Sequence, residues 1–144
     1  MSYLDHPQGG DPSKRAKQVI DRLRNKGVEL KISETSVGEL ARVVVRDKND
    51  EALLCNLFRR AKENQEFTIC GVQNDDLTQF VQLVGELRNE EHLIETTDVL
   101  ITAQSMIDMR CVGLLTFDVG IIGSKGIEKV RDRHRKGFVI TDNP

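Results

Sequence analysis

The sequence predicts an α/β domain in which a parallel sheet is connected by crossover helices. Three observations carry that expectation. Short apolar segments of strand character alternate along the chain with helical patterns of about ten to fifteen residues. One segment, residues 111–117 (Cys-Val-Gly-Leu-Leu-Thr-Phe), is almost continuously apolar, as in a strand covered on both faces. The 144 residues, 38% hydrophobic and 31% charged, suit one soluble domain spanning 1–144.

The elements follow in order. Pro12 and Ser13 open a helical pattern in which Ala16, Val19, Ile20 and Leu23 share a face, and Gly27 stops it. Val28 to Ile32 alternates apolar and polar residues and reads as a strand. Ser33 to Ser36 offers caps for a helix from about Val37 to Arg46. Asp47 to Asp50 is a polar break with a cap for another helix, whose apolar face includes Leu53, Leu54, Leu57 and Phe58. Residues 67–70 form a short strand, and a helix is expected from Asp76 to about Leu87. Thr96 and Thr97 cap a helix containing Val99, Leu100, Ala103, Met106 and Ile107. After the apolar strand a basic helix runs to Gly137, and Phe138 to Ile140 makes a last strand.

Composition excludes several classes. No apolar run approaches the roughly 18 residues of a membrane span, and the N-terminus lacks the basic-then-apolar run of a secretory signal. Cys55, Cys70 and Cys111 are odd in number and widely spaced, as expected of reduced thiols in the cytoplasm. With no Trp and 4% aromatics, a base-stacking platform is not expected. The net charge of −2 conceals an asymmetry. Residues 13–26 carry +5 and residues 124–137 carry +4, leaving −11 for the remainder. Basic edges of this kind suit phosphate binding, although two amphipathic helices with solvated polar faces would give the same count.

In open α/β sheets, sites form outside the carboxyl ends of the strands. Asp118 stands directly after the most apolar strand, Glu39 lies early on a helix after the first clear strand, and Asp98 opens an apolar helix. Each has an ordinary structural role as well: turn former, solvated helix residue, and acid favoured by a helix N-terminus. Acidic clusters without His or Cys suit hard cations such as Mg²⁺ or Mn²⁺. His6, His92 and His134 show no metal-ligand spacing. Residues 120–126 lack the frame of a phosphate loop and read as a strand-to-helix connection.

Glu39, Asp98 and the Thr116-Phe117-Asp118 strand end, with 59 positions between the first two acids and 20 between the last two, form an ordered set. In that order and spacing the sequence from about Asp11 to Pro144 resembles the PIN-domain family of metal-dependent ribonucleases, the fold of the toxin in many type II toxin–antitoxin pairs. The resemblance implies a three-layer α/β/α fold with a central parallel sheet, and Mg²⁺- or Mn²⁺-dependent hydrolysis of RNA phosphodiesters. It implies Glu39, Asp98 and Asp118 as catalytic metal ligands and Thr116 as the hydroxyl that orients a carboxylate or water. Lys125, Lys129, Arg131 and Arg133 become candidates for RNA phosphates. An antitoxin protein and a homo-oligomer are the implied partners, and the location is cytoplasmic.

Two positions depart from that pattern. The family begins with a central apolar strand ending in Asp, whereas here Met1 to Asp5 is followed by His6-Pro7-Gln8-Gly9-Gly10. Either Asp5 is the first metal ligand, or Ser2 to Asp5 is the tail of a helix whose preceding strand is missing. The acid often found two residues after the last ligand is Gly120 here. A PIN-like module that binds RNA or protein without catalysis is therefore the rival expectation. A flavodoxin-like or receiver-like binding domain is a third.

Overall fold

A computed structural model describes residues 11–47, 51–64 and 67–144. Helix α1 (Asp11–Asn25) turns Ala16 and Val19 inward and leaves Lys14, Arg15 and Lys17 exposed. Gly27 closes it with φ of 74°, a left-handed conformation that glycine adopts at little cost. The Val28 amide then donates back to the Leu23 carbonyl at 3.0 Å. That closure uses the start of the expected strand, so β1 (Lys31–Ser33) begins later than the alternation suggests. Ser33 caps α2 (Glu34–Asp47), its Oγ accepting from the Ser36 amide at 3.0 Å. Helix α3 (Glu51–Asn64) follows, and residues 48–50 of the polar break expected to cap it lie outside the described residues. β2 (Thr68–Cys70) runs parallel to β1, with Lys31 opposite Thr68 and Ser33 opposite Cys70.

A 3-10 turn at Asn74–Asp76 leads into α4 (Leu77–Glu90), which packs on α5 (Thr96–Ile107). Thr96 and Thr97 are the first helical residues of α5, not its caps; Glu95 holds the cap position in an extended conformation. Next come β3 (Gly113–Leu115), α6 (Val119–Ile122), α7 (Lys125–His134) and β4 (Val139–Thr141). The connection expected over residues 120–126 therefore carries a short helix of its own before the basic helix α7. Ser124 separates them: its Oγ accepts from the Ile127 amide at 3.0 Å and donates to Glu91 Oε2 at 2.7 Å. A cap of this kind contributes about 1 kcal/mol.

The core is built from Leu83 and Leu87 of α4, Val99, Ala103, Met106 and Ile107 of α5, and Ile121, Ile127, Val130 and Phe138. Gly126 lets α7 approach the end of α4, where a Cβ would collide with the Glu90 carbonyl. Arg135 staples the far end: its guanidinium donates to the carbonyls of Met106, Asp108 and Cys111 at 2.8, 3.2 and 2.7 Å.

The chain is mixed α/β and mainly helical, but among the described residues the strands do not join into one central sheet. They form two separate parallel pairs, β1–β2 and β3–β4. Helix α5 packs against both β1 and β3. Only three residues of the apolar 111–117 segment enter the ladder, Gly113 opposite Val139 and Leu115 opposite Thr141, and Val112 is 79% exposed. The expected strand covered on both faces is thus a short, half-buried one. Side chains link the two halves where a ladder does not. Lys31 of β1 reaches Asp108, just past α5, at 2.8 Å.

Among the described residues, β1 and β3 each have a strand partner on one side only. Unpaired edges recruit strands from other chains. Light scattering is therefore expected to show a mass that rises above the monomer with concentration. A mass fixed at the monomer value throughout would mean that both edges are already covered.

Candidate functional site

The three acids predicted from the sequence lie on elements that converge. Glu39 is on α2, which starts at the carboxyl end of β1 and packs against α5. Asp98 is in the first turn of α5, and Asp118 follows the carboxyl end of β3. Burial pushes the Asp98 carboxyl above the usual carboxylate range, and the charges of Asp118, Glu39 and Glu95 push it in the same direction. Asp118 and Glu39 are therefore each within electrostatic reach of Asp98, and Glu95 is a further acid that sequence reasoning missed. Its signal was available: it stands three residues before Asp98, at the same helix start.

Asp118 is partly engaged. Its Oδ1 accepts from the Gly120 amide at 2.7 Å and the Ile121 amide at 3.3 Å, capping α6. Thr116 supports this turn through the backbone, its Oγ1 accepting from the Asp118 amide at 3.2 Å. The Thr116 amide in turn donates to the Thr141 carbonyl at 3.1 Å, so β4 fixes the turn that presents Asp118. Asp5 lies outside the described residues.

A hard divalent cation fits the chemistry of this donor set, which is entirely carboxylate and whose mutual repulsion a cation would relieve. Among the described residues, no three His, Cys, Asp or Glu side chains come close enough to enclose an ion. The fit is to Mg²⁺ as it is usually bound, by one or two carboxylates with waters and substrate phosphates, and not to an all-protein cage.

The basic residues of α7 have acidic partners. Lys129 pairs with Glu90 at 2.9 Å, and Arg133 with Glu86 at 2.8 Å and Glu90 at 3.4 Å. Lys125 pairs with Glu128 at 3.2 Å, and Arg131 with Asp132 at 2.8 Å. A hydrogen bond from His134 lowers the Glu86 carboxyl, and one from Lys129 lowers that of Glu90. The positive stripe read from the sequence is thus largely ion-paired in the fold, with Lys129 and Arg133 joining α7 to α4 and Lys125 and Arg131 pairing within α7.

An open cleft of about 460 Å³ is lined by Arg42, Arg88, Ile94, Glu95, Thr96 and Thr97, so that Glu95 is the acid in its wall and Asp98 follows the two threonines in sequence. Arg88 shapes its wall by donating to the Ile94 carbonyl at 2.8 Å and Thr96 Oγ1 at 3.2 Å. Sequence reasoning missed both arginines. For Arg42 the signal was its spacing, three residues after Glu39 on the same helix. In comparisons with known proteins, no protein-family model, no curated protein and no solved structure matches this chain.

Proposed function

We propose that this chain is a divalent-metal-dependent endoribonuclease with a PIN-like α/β/α architecture. The observation that carries the reading is Asp98: a half-buried carboxyl at a helix start, pressed by Asp118, Glu39 and Glu95. Perturbed acids brought together from several elements mark candidate functional sites. In this reading one or two of Asp98, Glu39 and Asp118 would hold Mg²⁺ or Mn²⁺ directly and the remainder through water; when bound, the ion supplies Lewis-acid polarisation of a phosphodiester and a more acidic water. The protein's own part is to place Asp98 and Glu39 on the packed helices α5 and α2 and to hold Asp118 in position through Thr116 and the α6 cap. The ordered set of acids and its resemblance to the PIN-domain family support the RNA substrate. The toxin role, with an antitoxin partner, rests on that resemblance alone.

The test combines binding and cleavage. Mn²⁺ should raise the thermal midpoint of the wild-type chain, because a ligand of the folded state stabilises it. It should also support cleavage of a mixed-sequence single-stranded RNA. Both effects should be lost in Asp98→Asn. A midpoint shift that persists in that variant would remove Asp98 from the site.

On α7, Lys125, Lys129, Arg131 and Arg133 contribute in this reading by exchanging carboxylate partners for phosphates. Such an exchange gains little, since exposed ion pairs are worth about 0–1 kcal/mol. The double variant Arg131→Ala/Arg133→Ala is therefore expected to weaken RNA binding by less than about fivefold. A loss of a hundredfold would instead make α7 the main RNA surface.

A second reading, a PIN-like module that binds RNA or protein without cleaving it, is favoured by one observation. Asp118 already spends an oxygen on the α6 cap, and no enclosing ligand group forms among the described residues. RNA binding without cleavage in Mn²⁺ would establish that reading.

A further inference from the structure

We infer that the cleft at the start of α5 is a phosphate subsite for the backbone of a single-stranded nucleic acid, with Arg42 as its anion-binding residue. The inference rests on the nuclease reading for its ligand class and on separate observations for its location. First, charge is distributed unevenly over the described cations. Lys31, Arg110, Arg15, Lys125, Lys129, Arg131 and Arg133 all sit against carboxylates. Other described cations, Lys14, Lys17, Lys136, Arg42 and Arg88 among them, have no carboxylate partner among the described residues, and of these Arg42 and Arg88 line one cleft.

Second, the remaining polar groups in the cleft are suited to an oxyanion. Thr96 and Thr97 bring two hydroxyls, and they stand at the start of α5, where the first amides of a helix have no partner within it. Glu95 extends no side-chain hydrogen bond to those amides. Its carboxylate is the one opposing charge in the lining and sets a limit: two guanidiniums against one acid suit a singly charged diester.

Third, position fits the reaction. Arg42 follows Glu39 by three residues on α2, and Thr96 and Thr97 immediately precede Asp98 on α5. Residues three apart on a helix are surface neighbours. A diester phosphate held in the cleft therefore lies next to the acids, where a phosphate adjacent to the scissile one would sit. The two arginines divide the work. Arg88 is committed to the 92–96 loop through the carbonyls of His92 and Ile94 and shapes the wall, whereas Arg42 is exposed and available to bind.

The experiment is fluorescence anisotropy on the full chain without divalent metal, with a labelled mixed-sequence single-stranded RNA and a DNA of the same sequence as probes. Arg42→Ala should weaken binding about tenfold, and Arg42→Lys should recover part of the loss. The salt slope should flatten by about 0.7, the value for one phosphate contact on a single strand. The thermal midpoint should not move, because Arg42 is exposed. Loss with both probes supports a contact to the phosphate; loss with one supports the cleft and identifies the sugar beside it. Unchanged affinity and slope in Arg42→Ala, with cleavage still dependent on Asp98, would overturn the subsite and leave the nuclease reading standing. No binding of either probe by the wild-type chain would overturn both.

Discussion

Replacing Asp98 with Asn is expected to abolish metal-dependent RNA cleavage while making the protein more stable. Removing groups that merely support a metal ligand costs 10–100-fold, so removing the ligand itself should cost about 100-fold or more. Stability moves the other way because of the sign of the Asp98 shift. Burial and three neighbouring acids raise its folded-state pKa, so ionising it in the folded protein is unfavourable. The wild-type protein therefore loses stability as pH rises from the ordinary carboxylate range towards the raised value, and the loss is complete above it. Asn carries no charge and removes that slope. The measurement is a pair of thermal melts across acid to neutral pH without divalent ions, alongside the cleavage assay. A variant that melts lower than wild type at neutral pH would show that Asp98 holds the fold together. A site whose ionised form is costly to stability is the pattern expected where function was retained at that cost.

The second large effect belongs to the link between the two sheets. Burial works to raise the Asp108 carboxyl, but hydrogen bonds from Arg110 and Lys31 overcome it and hold it well below the usual carboxylate range. Lys31 and Asp108 are only 14% and 17% exposed at their side chains. Asp108→Ala leaves the Lys31 ammonium covered and unpaired, at a cost of about 3 kcal/mol, the low end for breaking a buried pair. For a chain of this size that lowers the melting temperature by about 6–12 °C. Adding Lys31→Met should recover much of the loss, since it removes the stranded charge. In the wild-type protein this contribution is complete above the ordinary carboxylate range and fades as pH falls through that range towards the depressed value. A melting temperature within about 2 °C of wild type in Asp108→Ala would show that the pair is screened by water.

Local chemistry was the legible part of this sequence. Helix starts and stops at Ser33, Gly27 and Gly137 were written in residues whose backbone or side-chain preferences act within one turn. The acids were legible too, because helix starts and strand ends fix where a residue emerges. What the sequence did not reveal depends on distant partners. Nothing in the Lys129 and Arg133 pattern announced that Glu86 and Glu90, some forty residues earlier, would meet them across a helix seam. Nor did the apolar run at residues 111–117 announce that only three residues would find a strand to pair with. Apolar character signals burial, while pairing needs a partner at the right place. The cleft arginines escaped for the converse reason: their meaning lies in what they do not pair with.

The concentration of the core in the second half of the chain bears on how the molecule comes apart. Among the described residues, every member of the main buried apolar cluster lies between Leu83 and Phe138, while Ala16, Val19 and Leu40 are buried outside it. The first part of the chain is held to that body through α2 and β1 on α5, and through polar ties such as Lys31 to Asp108, Gln104 to the Cys70 carbonyl and Arg15 to Asp142. Two cooperative units of unequal strength follow, and the weaker can open while the stronger persists. Amide hydrogens of β1 and α2 then exchange through a partial opening that leaves those of α4 and α5 protected. Arg42 of α2 and Thr96 of α5 both line the cleft, one from each unit. A ligand bridging it would close the partial opening, so that occupancy and local rigidity rise together.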